Sequence, residues 1–98
     1  MRIISRKALR DFGERHADAR GPLDAWYQIM KGRDHASPHE VRVDFPGASF
    51  LGARRTVFNI AGNRFRLVVD MRYELGRVCV RHVLTHDEYD RKTIEGTL

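Results

Sequence analysis

The 98 residues, 42% hydrophobic and 32% charged, leave room for one domain (1–98) around one small core. The net charge is +5, and arginine outnumbers lysine fifteen to three, a balance that favours phosphate-bearing polyanions over acidic small molecules as partners. The single cysteine, Cys79, excludes an intramolecular disulfide, and no apolar run is long enough to span a bilayer, so the expected setting is the cytoplasm with no membrane partner.

In chain order, Met1 to Ile4 reads as a first strand. Ser5 is expected to cap a helix through Lys7, Leu9, Phe12 and Arg15, with Leu9, Phe12 and His16 on one face. Gly21-Pro22 is expected to break the chain and start a second helix with Pro22 at its first position; Leu23, Trp26, Tyr27 and Met30 share one side of it, and Gly32 ends it. The two would form a helical hairpin. Ser37-Pro38-His39-Glu40 matches a capping box that opens a short helix through Val41, stopped by Pro46-Gly47. Residues 47 to 55 read as a connection with an irregular strand near Phe50.

From Thr56 the period changes to two. Thr56 to Ile60 is a strand and Ala61-Gly62-Asn63 a turn. Arg64 to Tyr73 alternates, with Phe65, Leu67, Val69, Met71 and Tyr73 on one face and Arg64, Arg66, Asp70 and Arg72 on the other. Leu75-Gly76 turns the chain into a last strand, Arg77 to Leu84, where Val78, Val80, His82 and Leu84 are expected to share the inner face. Thr85-His86-Asp87-Glu88 is a second capping box, opening a helix through Tyr89 and Lys92, and Gly96-Thr97-Leu98 is expected to fray. The sum is an α+β fold: an N-terminal strand and a helical hairpin packed on a small antiparallel sheet, with a short C-terminal helix and one sheet face partly open.

The chemical candidates gather at the end of the last strand. His86 offers an imidazole, the side chain suited to proton exchange, at an accessible rim; it either exchanges protons or merely hydrogen-bonds the helix start. Tyr89, one turn later, either stacks on a base or locks the helix to the sheet. Arg66 and Arg81, on neighbouring strands, suit a scissile phosphate. Arg64, Arg72 and Lys92 are assigned to looser RNA contacts, with a plain solvated face as the competing reading for Arg64 and Arg72. Glu88 is expected to return the Thr85 cap, Asp90 to pair with an arginine, and His82 to be an interior histidine. His16, His35 and His39 lack acidic or cysteine partners at metal spacing, so neither a metal nor a cofactor is expected.

Val57-Phe58-Asn59-Ile60, Gly62-Asn63, Arg66 and Thr85-His86-Asp87-Glu88-Tyr89-Asp90 together resemble the HigB toxin family of the RelE-like group; Ile3 to Leu9 and Phe45-Pro46 are similar as well. The resemblance implies a RelE-like fold and an mRNA interferase, a metal-independent endoribonuclease that cuts messages on translating ribosomes. The ribose 2′-oxygen would attack the adjacent phosphate and release a 5′-hydroxyl end. His86 would be the acid or base, Arg66 and Arg81 the phosphate stabilisers, Tyr89 the stacking residue and Lys92 a weaker electrostatic contributor, with Asn59 and Asn63 holding hairpin geometry. It also implies a HigA-like helix-turn-helix antitoxin, with operator DNA contacted only through the complex. The alternative reading of the same basic face is a non-catalytic RNA- or ribosome-binding module.

Overall fold

The change of apolar period near residue 55 separates a helical layer from a sheet. The structure, a computed structural model, describes residues 1–52, 54–96 and 98. The parts of the expected connection and of the expected terminal fraying that fall on Ala53 and Thr97 lie outside the described residues. In chain order the elements are β1 (Arg2–Ile4), α1 (Arg6–Arg15), α2 (Ala17–Gly32), α3 (Pro38–Asp44), β2 (Ser49–Phe50), β3 (Arg55–Ile60), β4 (Phe65–Arg72), a 3-10 turn (Tyr73–Leu75), β5 (Arg77–Thr85) and α4 (His86–Glu95). The strands form one sheet in the order β1-β5-β4-β3-β2. Strands β2 to β5 make the expected antiparallel meander, and β1 joins its edge parallel to β5. The α+β architecture read from the sequence is the one observed.

Two local expectations fail in the helical layer. Pro22 does not start a helix; it lies inside α2, which begins at Ala17. An interior proline loses one hydrogen bond and costs roughly 3 kcal/mol. The buried stripe of α2 nevertheless begins before it, at Ala19, and continues through Leu23, Trp26 and Met30, so tertiary burial outweighs the local penalty. The hairpin break falls instead at His16, whose φ of −131° and ψ of 88° separate α1 from α2. Ser5 does not cap α1 with its side chain, because its backbone is left-handed (φ 71°) rather than extended as that cap requires. The other two caps form: the Ser37 hydroxyl accepts from the Glu40 N–H, and Thr85 and Glu88 make a reciprocal box.

Helices α1, α2 and α3 cover one sheet face. Phe58 and Ile60 of β3, Phe65, Leu67, Val69 and Met71 of β4, and Val78 and Val80 of β5 meet Phe12, Trp26, Met30 and Val41 there. Strand β5 departs from simple alternation. Val68 lies opposite His82 but Val69 lies opposite Val80, so Arg81 is the extra residue of a β-bulge. The bulge reverses the phase: Val78 and Val80 face the helices, whereas His82 and Leu84 face the opposite side. His82 is therefore not on the inner face expected from period two.

Candidate nucleic-acid interface and active site

The strand registers arrange the second sheet face in rows. Asn59, Arg66 and Leu84 form one row, then Val57, Val68 and His82, then Arg55, Asp70 and Cys79, and finally Arg72 and Arg77 with Arg2 of β1 beyond. Helix α4 folds back over the first two rows. Its Tyr89 and the terminal Leu98 pack on Val57, Val68 and Leu84, a small second core that anchors the helix. The Thr85–Glu88 box fixes where α4 starts: the Thr85 N–H donates to Glu88 at 2.9 Å, and the Glu88 N–H donates to Thr85 Oγ1 at 3.2 Å. That backbone hydrogen bond, aided by the Arg15 and His16 charges, holds the Glu88 carboxyl below its ordinary value. Glu88 is thus committed to the cap.

At this rim three of the expected residues come together. His86 is the first residue of α4; its N–H donates to the Arg64 carbonyl at 3.1 Å and its ring is half exposed. Its Nδ1 lies 3.0 Å from Asp90 Oδ2, one turn later. Asp90 therefore pairs with a histidine, not with the arginine that the sequence suggested, because positions four apart on one helix meet before a strand residue can reach them. The Arg66 guanidinium lies 5.6 Å from the Tyr89 ring centroid, and its Nη1 donates to the Asn63 and Phe65 carbonyls at 3.0 and 3.2 Å. Tyr89 locks the helix to the sheet and presents a ring to Arg66 at once.

Arg81 belongs to a second cluster. Arg66 lies opposite Leu84, so Arg81 sits three residues further along β5, on the order of 10 Å away. Its Nη1 donates to Asp70 Oδ2 at 3.2 Å, while Arg55 Nε donates to Asp70 Oδ1 at 2.7 Å and Arg55 Nη1 to the Leu98 carbonyl. Arg66 and Arg81 are therefore not side by side, and Arg81 shares Asp70 with Arg55. Burial would raise the Asp70 carboxyl, and the hydrogen bonds and charges of Arg55 and Arg81 overcome it, leaving the group below its ordinary value of 3.8. His82 is turned towards the same cluster. Burial lowers its imidazole, Lys92, Arg81 and Arg55 lower it further, and its buried Nε2 has no partner among the described residues. Sequence reasoning missed this placement. The available signal was the spacing of inner residues, Val78, Val80 and then Val83.

A depressed carboxylate stabilises the fold above its unfolded pKa and loses that effect as pH falls through the folded one. The Tm of the parent chain is therefore expected to fall below about pH 4 more steeply than that of Asp70→Asn. Melting curves from about pH 6 to about pH 2 test this; parallel profiles would remove Asp70 from the acid-sensitive groups.

The remaining expected residues are dispersed. Arg64 leaves the open face: its Nη2 lies 2.5 Å from Asp18 Oδ2 of α2. Its position in the turn after β3, outside the strand, frees it from the alternation that assigned it there. Arg72 lies opposite Arg77 at the far end of β4, and Lys92 lies on α4, near enough for its charge to lower the His82 imidazole. His86, Asp87 and Asp90, all exposed, bring potential metal-donor atoms within 4.8 Å of one another, a grouping the sequence reading did not anticipate. No helix among the described residues is long and apolar enough to cross a membrane.

A small basic α+β protein with helices on one sheet face and a cationic, half-covered second face is the class that this fold and site define. Residues 19–92 match the family model described as HigB toxin, the RelE-like toxic component of a toxin–antitoxin system, and the chain belongs to that family. It is 27% identical over 95 residues to the mRNA interferase HigB of Escherichia coli O6:H1, covering 95% of this chain and 92% of the relative. It is 30% identical over 93 residues to the mRNA interferase toxin HigB of Escherichia coli K12 and to the mRNA interferase HigB of Shigella flexneri, covering 92% of this chain and 88% of each relative.

Proposed function

We propose that this chain acts as one catalytic domain, an endoribonuclease toxin that cuts messenger RNA on translating ribosomes. The meeting of His86, Tyr89 and Arg66 at the rim beneath α4 carries the reading. Asp90 accepts from His86 Nδ1–H and orients the ring, which leaves the other nitrogen to take the proton of a ribose 2′-hydroxyl. The 2′-oxygen attacks the adjacent phosphorus, the bond to the 5′-oxygen breaks as that oxygen takes a proton from solvent water, and the products are a 2′,3′-cyclic phosphate and a 5′-hydroxyl end; His86 then returns its proton to solvent. Arg66 neutralises charge developing on the phosphate oxygens, and Tyr89 stacks on a neighbouring base. Arg81 and Lys92 hold phosphates beside the cut and not the scissile one, in keeping with their place around Asp70 and His82. Arg64 contributes only where RNA displaces Asp18.

The reaction runs without a metal ion in this reading. The toxin's antitoxin partner is a HigA-like helix-turn-helix protein, and the pair reaches operator DNA through that protein. The test is end-mapping of messages in a translating extract supplied with the purified chain. New 5′-hydroxyl ends are expected, undiminished by Asp87→Asn, which removes one donor of the exposed trio without touching the His86–Asp90 pair. Messages that stay whole while ribosomes retain the protein would instead favour the non-catalytic binding module. Cleavage abolished by Asp87→Asn and restored by added divalent metal would overturn the metal-free mechanism.

A further inference from the structure

Three arginines stand abreast at the end of the open face away from α4. The registers place Arg72 of β4 opposite Arg77 of β5, and Arg77 beside Arg2 of β1. Opposed positions leave the sheet on one side, with Cβ atoms about 4.5–5.5 Å apart, and like charges so placed destabilise a sheet. None of the three has an ion-pair partner among the described residues. The carboxylates that border this end are engaged elsewhere: Asp70 with Arg55 and Arg81, Asp34 with the amino terminus at 3.2 Å, and Glu74 with Arg54 at 3.8 Å. Arg54, Arg55 and Arg72 also line one open cleft with Leu51 and Asp70. A repulsive row that the fold leaves unneutralised is suited to an external polyanion.

We infer that the Arg2–Arg77–Arg72 row binds the phosphodiester backbone of the message strand flanking the cut. This inference rests on the reading of the open face as an RNA-cutting surface. The row shares its sheet face with Arg66, six residues away along β4, on the order of 20 Å. Arg81 and Arg55 lie between and share the single carboxylate of Asp70, so this stretch keeps a net positive charge. At about 3.4 Å per stacked nucleotide the path spans about six nucleotides. Such a length falls within the footprints of sequence-tolerant single-strand binders, which combine a cationic track with stacking aromatics such as Tyr89.

The test compares Arg72→Gln/Arg77→Gln with the parent, using 2′-O-methyl RNA that cannot be cut at the ribose. One probe of about four nucleotides reaches only the α4 rim, and one of about twelve reaches the row. The double variant is expected to weaken the long probe about tenfold and to flatten its logarithmic salt dependence by about 1.4, two phosphate contacts at about 0.7 each, while sparing the short probe. Because the substitutions relieve repulsion, the variant is expected to melt at or above the parent's Tm. Equal losses on both probes, no loss on either, or a lowered Tm would each overturn the inference. Cleavage is scored separately. Length-dependent binding that vanishes in the double variant, with a parent that cuts nothing, would fail the nuclease reading and leave the row's role standing.

Discussion

Combining His86→Ala with Tyr89→Phe is expected to lower message cleavage by about 10²–10⁴-fold, the usual range for losing a positioned acid or base, and to lift growth arrest. The fold has little reason to suffer. The His86–Asp90 pair is solvent-exposed on both sides, and such pairs contribute about 0–1 kcal/mol. Phenylalanine at position 89 retains the ring that packs on Val57, Val68 and Leu84 and that faces Arg66. The α4 cap depends on Thr85 and Glu88, which are untouched. The measurement is the rate at which new ends appear in a translating extract at matched protein concentration, with the Tm recorded alongside. A double variant that cuts at the parent's rate would show that proton transfer happens elsewhere. His82 would then be the next imidazole to replace, since it shares this face with three cations around it.

What was legible in the chain was local. The alternation from Phe65 to Met71 needs only neighbouring residues, and so do the Ser37 and Thr85 caps, because each hydrogen bond closes within three positions. What was hidden depended on distant partners. Pro22 is a strong breaker by itself, but the helix through it is decided by Ala19 and Leu23 meeting a sheet that forms tens of residues later. The bulge at Arg81 is a property of the β4–β5 pairing, and it carried His82 from one face to the other. Arg64 reads as one more cation of an alternating strand until Asp18 of a separate helix claims it. Likewise, Arg72 was singled out alone, and Arg2 and Arg77 join it in a row only once the register brings three strands together. That His86 and Tyr89 stand one turn apart was legible because they share one helix, whereas the His86–Asp90 pair was not read. The arginine half was harder because Arg66 and Arg81 stand in different rows of the register, and Arg81 is turned towards Asp70, on its far side from Arg66.

Phe58→Ala is expected to cost about 3–5 kcal/mol. The side chain is 1% exposed and meets Trp26 and Phe45 edge-on, at centroid distances of 5.5 and 4.9 Å. It therefore ties α2 and the end of α3 to β3 through one ring. For a chain of this size the loss corresponds to a Tm lower by about 15–30 °C, out of a total stability on the order of 5–15 kcal/mol. Its strand neighbours Val57 and Asn59 face the opposite side, one beneath Tyr89 and one beside Arg66, so the rim falls apart when the core does. The failure differs from that of His86→Ala/Tyr89→Phe in its temperature dependence. Cooling should restore cleavage to the Phe58 variant, because its proton-transfer and phosphate-binding groups are intact, whereas the rim variant stays folded and inactive at every temperature. Melting curves and cleavage assays at two temperatures separate the two cases. A Phe58→Ala protein that melts within a few degrees of the parent would mean that the α2–β3 contact carries little of the fold's stability.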